Sequence, residues 1–207
     1  MALERELTDL QSACRACTRC QDEGIIAEAA PTFEGGTGAV FFIIGQAPGP
    51  AERESRRPFS GRAGRELGRW MIRAGFESEG EFRRLTYIAA LMRCFPGRNA
   101  AGDGDRPPPA RGIRNCAGWL EAELRLLRPR VVILVGQMAI RRFLGRGALE
   151  DRVGATFGDD PVYVPLPHPS GQSRWLNDPA NRARLDRALA TLCGLRERRL
   201  AEMGGGS

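Results

Sequence analysis

Four short apolar runs interrupt an otherwise polar and charged chain, at residues 40–44, 85–92, 130–136 and 162–166. The third is continuously apolar, the pattern of a strand buried on both faces of a parallel sheet. Between the runs the apolar positions recur at helical spacing. Residues 62–75 place Leu67, Trp70, Met71 and Ala74 on one face. Residues 111–128 form the longest helical pattern, stopped by Pro129. Further helices are expected at 3–13, 137–144 and 179–200. Alternating strands and helices predict an α/β fold, with a parallel sheet covered by helices on both faces. A glycine-rich link at 35–38 precedes the first strand, and residues 96–109, rich in Gly, Asp and Pro, predict an exposed loop. Residues 1–200 read as one domain, and 201–207, ending Gly-Gly-Gly-Ser, as a flexible tail. No internal repeat is present.

Composition adds charge to this outline. Of 207 residues, 42% are hydrophobic, and no apolar stretch approaches the roughly 20 residues that cross a bilayer. The expectation is a cytoplasmic monomer with no membrane partner. All 31 basic residues are arginine against 25 acidic ones, giving a net charge of +6. That balance suits a polyanionic partner, although GC-rich coding also produces an arginine bias. Without lysine, no side-chain amine can form a Schiff base.

Two strand-to-loop junctions carry the candidate chemistry. The first strand runs into Gly45-Gln46-Ala47-Pro48-Gly49, whose glycines permit close backbone approach to a planar or anionic group while Pro48 stiffens the turn. The fourth ends at His168-Pro169-Ser170, and His168 is the only histidine. An ordinary tight turn and a structural histidine are the plain alternatives. Cys17 and Cys20 form a C-x2-C pair, Cys94 follows the second strand, and Cys116 lies in the helix that follows. Four thiolates suit structural zinc nearly as well as an iron–sulfur cluster. A disulfide framework is not expected, because no signal-peptide pattern precedes the cysteines and a chain of this length buries a sufficient core. Cys14 is a competing ligand or a helix-borne structural thiol; Cys193, among leucines, reads as packing.

Taken together, these two loops resemble the signature motifs of the uracil-DNA glycosylase superfamily, and the four cysteines resemble its iron–sulfur branch, families four and five. The resemblance covers roughly residues 12–190. It implies a three-layer α/β/α sandwich with a central four-stranded parallel sheet and an N-terminal cysteine-rich segment. It also implies a [4Fe–4S] cluster on Cys17, Cys20, Cys94 and Cys116, and as partner DNA containing uracil or abasic sites. Removal of a base from DNA requires flipping the nucleotide and stabilising the departing anion. By resemblance, Gln46 and the main chain of Gly45 and Ala47 face the uracil carbonyls, Pro48 and Gly49 shape the wall, and His168 donates to the leaving base. Phe59, in Arg57-Pro58-Phe59-Ser60-Gly61, matches the phenylalanine that stacks on the base, and Glu52 a glutamate near its C5 edge. Ser170, Gln172, Arg174 and Trp175 follow the histidine as the family's DNA-intercalation loop does, with Trp175 either filling the DNA gap or anchoring the loop. Arg174, Arg56 and Arg57 are the expected phosphate contacts.

Three positions depart from the family pattern. Gln46 stands where family four has glutamate, Ala90 where it has a base-reading asparagine, and Arg62 where family five has aspartate. An amide cannot act as a general base at neutral pH. The expected activity is monofunctional excision of uracil in base-excision repair, without a lysine-dependent lyase step. The alternatives are a silent binder of uracil or abasic DNA, and a glycosylase for hypoxanthine or xanthine.

Overall fold

The computed structural model describes residues 1–170 and 174–204. Four strands, β1 (Phe41–Gly45), β2 (Thr86–Ala90), β3 (Val131–Val135) and β4 (Val162–Leu166), form one sheet in the order β2-β1-β3-β4, every pair parallel. The helices are α1 (Ala2–Arg15), α2 (Arg19–Asp22), α3 (Pro50–Ser55), α4 (Arg62–Arg73), α5 (Glu79–Arg84), α6 (Ala110–Leu127), α7 (Gln137–Leu144) and α8 (Pro179–Gly204).

Strand periodicity explains the layers. Successive side chains point to opposite faces, so both faces of a sheet built from apolar strands must be covered. Phe41, Ile43, Ile133 and Val164 join Leu67, Trp70, Met71, Leu185 and Leu189, placing α4 and α8 on one face. Phe42, Ile44, Val132 and Leu134 join Leu7, Leu120 and Ile140, placing α1, α6 and α7 on the other. The expected α/β/α sandwich is therefore present. Its order matters for function: the chain leaves β1 toward β2 on one side, then returns to lay β3 on the other. Loops leaving β1 and β3 diverge there, and open α/β sheets bind ligands in the crevice so formed.

Expected strands and long helices fall within a few residues of their observed limits. Helices α2, α3 and α5 and a 3-10 turn at Arg174–Asn177 are additions that four to six residues of sequence periodicity do not reveal. One expectation changes and another gains detail. Helix α8 continues to Gly204, beyond the expected start of the tail at 201, because no helix breaker precedes that glycine run. The stretch 96–109 is also ordered in part: Asn99 N donates to Gly104 O (2.9 Å), Arg106 N donates to Gly97 O (2.9 Å), and Arg98 faces Asp105 in an antiparallel bridge. Residues 98, 100–103 and 105–107 are exposed, as expected of this loop, and the buried Pro96 and Pro108 mark its two ends.

Candidate functional site

A cavity of about 520 Å³ opens at the carboxyl ends of the strands, within the usual range for ligand sites. Gly45, Gln46, Ala47, Pro48 and Gly49 line it from the loop after β1, and Ala90 lines it from the end of β2. Phe59 and Glu52 enter from the segments around α3, and His168 and Ser170 from the loop after β4. The structure thus brings together two loops more than a hundred residues apart in sequence.

Gly136, at the end of β3, is the hinge of this convergence and was not singled out from the sequence. A β-carbon there would stand 2.6 Å from Gln46 Nε2 and 3.2 Å from His168 Cδ2, and its φ of +87° lies in the left-handed region. Only glycine leaves room for both side chains beside this backbone. His168 accepts from Ser170 N at Nδ1 (3.3 Å), which leaves the proton on Nε2. Burial pushes the imidazole below its ordinary 6.5, so the ring is a neutral donor near pH 7.

Glu52 lines the cavity and is held by two backbone donors: its Oε2 accepts from Gly49 N (3.0 Å) and its Oε1 from Gly61 N (2.8 Å). It thereby ties the loop after β1 to the start of α4. The sequence signal for this was the three-residue interval from Gly49 to Glu52, a capping-box spacing. Phe59 is held just as tightly. Its carbonyl and that of Pro58 accept from the buried Arg83 guanidinium at 3.2 Å. Arg83 is itself fixed by Glu34 (2.6 Å) and Glu79 (2.8 Å). Phe59 adopts φ +51°, unusual for a side-chain-bearing residue, and its ring lies against Gly45, where a β-carbon would stand 3.3 Å from Cζ. Backbone strain of this kind persists where the surroundings over-determine it.

The expected DNA contacts divide. Trp175 packs against the core and donates from Nε1 to Glu150 Oε1 (2.6 Å), which favours the anchoring alternative. Arg56 faces Glu28 (3.6 Å), and Arg57 faces Glu34 (3.6 Å) and Glu79 (3.7 Å), so neither is a free cation beside the cavity. Arg174 is exposed at the start of the 3-10 turn; Gln172 lies outside the described residues. Next to the cavity, a second groove is lined by Arg62, Arg65, Arg69, Ser170 and Asn177. Arginines at 62, 65 and 69 share one helix face, a spacing the sequence already displayed.

Cys17, Cys20, Cys94 and Cys116 line a smaller cavity between α1, α2, the end of β2 and α6, and Cys14 and Arg93 line it too. Asn115 Nδ2 donates toward Cys20 Sγ (3.6 Å) and Arg93 N toward Cys116 Sγ (3.4 Å). Arg93 is wholly buried and paired with Glu123 through Nη2, while its Nε and Nη1 find no partner among the described residues. Buried donors aimed at sulfur beside an incompletely paired cation suit an anionic thiolate-bound group. Burial also pushes the Cys94 thiol up to about 12 and the Cys116 thiol up to about 11, so these sulfurs ionise only with a metal's charge nearby. Among the described residues, no three His, Cys, Asp or Glu side chains are grouped tightly enough to hold one metal ion.

Among the described residues, no helix is long and apolar enough to cross a membrane. A family model described as the uracil DNA glycosylase superfamily matches residues 33–193. A type-4 uracil-DNA glycosylase of Pyrobaculum aerophilum is 29% identical over 146 residues, 69% of this chain and 68% of that protein. A type-5 uracil-DNA glycosylase of Thermus thermophilus is 32% identical over 162 residues, covering 67% and 70%. A type-4 enzyme of Saccharolobus solfataricus is 31% identical over 123 residues, or 59% of this chain and 52% of its own length.

Proposed function

Because this chain belongs to the uracil DNA glycosylase superfamily, we propose that it excises uracil from DNA as a monofunctional glycosylase of base-excision repair. The observation that carries the reading is the meeting of Gln46 and His168 over Gly136, at the switch point of the sheet. A flipped uracil leaves as an anion, and the cavity supplies what that anion needs. Neutral His168 donates from Nε2 to the developing charge on the base. Carbonyls of Gly45 and Gln46 are already taken by Leu91 N (3.0 Å) and Met92 N (3.1 Å). The loop's amide groups and the Gln46 carboxamide are therefore its means of contacting the base. Phe59 offers a ring face beside Gly45 for stacking. Such preorganised donors act strongly in a water-poor site because they need no reorganisation during reaction. With no lysine, the product is an abasic site in an unbroken strand.

Cys17, Cys20, Cys94 and Cys116 would hold a [4Fe–4S] cluster, which supplies cross-linking of the N-terminal segment to the loops around β2 rather than a reaction step. Purified protein should be brown and absorb near roughly 400 nm.

Incubation with an oligonucleotide containing one uracil, followed by hot alkali, should yield a strand break at that position. Intact strands at enzyme excess would refute the activity. Ala90 gives a specific reason to extend the substrate panel: it lines the cavity with a methyl group where a base-reading amide is expected. Parallel strands carrying hypoxanthine and xanthine test whether this opening broadens the range, and a lesion-specific gel shift without base release would identify a binder.

A further inference from the structure

Neither Gln46, an amide, nor Glu52, with both oxygens engaged, is an obvious group to activate water. Two other carboxylates line it, both from the 96–109 hairpin: Asp103 and Asp105. Asp103 Oδ1 accepts from Asn99 Nδ2 (2.8 Å) within the hairpin itself. Asp105 is placed otherwise. Its Oδ1 faces Arg98 at 3.5 Å, while its Oδ2 lies 3.4 Å from where a β-carbon would stand on Gly49. This brings a carboxylate oxygen against the loop after β1, at the rim of the cavity, with the side chain still 43% exposed to solvent.

We infer that Asp105 is a catalytic residue, the general base that orients and deprotonates the attacking water; this rests on the glycosylase reading above. A base bound against Gln46, His168 and Phe59 leaves its sugar at the rim, and the rim is where Asp105 and solvent meet. As the C1′–N1 bond breaks, its electron pair departs on uracil. Water then forms the new C1′–O bond and passes one proton to Asp105. The carboxyl group later releases that proton to solvent, and the uracil anion takes one up, leaving neutral uracil and an abasic sugar.

The hairpin is fixed well enough for this work. Arg106, next to Asp105, donates from Nη2 to Ile25 O (2.7 Å) and to Pro96 O. It thereby latches the strand carrying Asp105 to the segments that follow Cys20 and Cys94. The cysteine centre would then serve the reaction indirectly, by holding a carboxylate over a pocket.

Single-turnover excision and equilibrium binding of a uracil-containing strand, measured for wild type and Asp105→Asn, separate the possibilities. The inference expects excision to fall by about 100-fold or more while Kd changes by less than about threefold, the range for losing a general base. A near-wild-type rate in D105N, or a Kd that weakens in parallel with the rate, would overturn it and leave the glycosylase reading standing. A wild-type protein that never releases uracil would overturn both.

Discussion

At the residue scale, the site depends on side chains that cannot occupy the same place without particular neighbours. His168 is neutral because burial disfavours its cation, and it donates because Ser170 N occupies Nδ1. His168→Ala should lower single-turnover uracil release by about 10²–10³, the loss typical of one preorganised donor. Its titration also has a stability consequence. The unfolded chain protonates this imidazole near 6.5 and the folded chain only at lower pH. Unfolding therefore takes up a proton in the interval below 6.5, and this contribution to stability is full above that value and lost as pH falls toward the folded-state pKa. Denaturant titrations from pH 7.5 down to 5 should show a fall that His168→Asn lacks. Gly136→Ala should separate the two loops, since its β-carbon would collide with Gln46 Nε2 at 2.6 Å on a backbone already at φ +87°. Crystals of G136A would show Gln46 or His168 displaced, with uracil release reduced.

At the scale of elements, short helices and loops hold the pocket in shape. Glu52 joins the starts of α3 and α4 through two backbone donors. Hydrogen bonds to a charged group contribute about 1.5–3 kcal/mol each. Glu52→Ala should accordingly lower unfolding free energy by roughly that amount or more and weaken uracil-strand binding, as chemical denaturation and gel shifts would register. Gly64 has a related role, because a β-carbon there would stand only 1.7 Å from Phe59 O. Helix α4 can begin beneath Phe59 only with glycine at that position. The adjacent face of α4 carries Arg62, Arg65 and Arg69, which in the glycosylase reading would contact phosphates. Arg69 is paired with Glu66 at 2.6 Å, whereas neither Arg62 nor Arg65 makes an ion pair among the described residues. Arg65→Ala should reduce the slope of log affinity against log salt by about 1, whatever the DNA sequence.

At the scale of the whole molecule, one buried pair joins the sheet to the cysteine region. Arg93 and Glu123 are both almost completely buried, and Tyr87 donates to Glu123 Oε1 at 2.9 Å. Removing one member strands the other's charge, at a cost of about 3–5 kcal/mol. Glu123→Ala should show that loss in thermal or chemical melts, and brown colour should fade with it if the cation beside the cysteines helps hold the cluster. Contacts run from Glu123 on α6 to Arg93 and from Arg93 N to Cys116 Sγ, while Arg106 ties the hairpin beside the pocket to Ile25 O and Pro96 O. Metal loading, fold stability and excision should therefore fail together when any of the four cysteines is replaced by serine.

The strands, the long helices and the two junction loops were determined by local pattern: runs of Val, Ile and Phe, helical spacing, and glycine at strand ends are physics within a few residues. Charge and the absence of lysine were likewise complete in the sequence. Which loops meet was decided by the tertiary order β2-β1-β3-β4, since no local rule relates Gln46 to His168 or reveals that both side chains close over Gly136. The same applies to the carboxylates. Glu52 and Asp105 are both acidic residues, and only the folded neighbours show one with each oxygen held by a backbone donor and the other at the rim of the cavity. Side-chain identity sets what a group can do; packing sets which of its atoms remain free to do it.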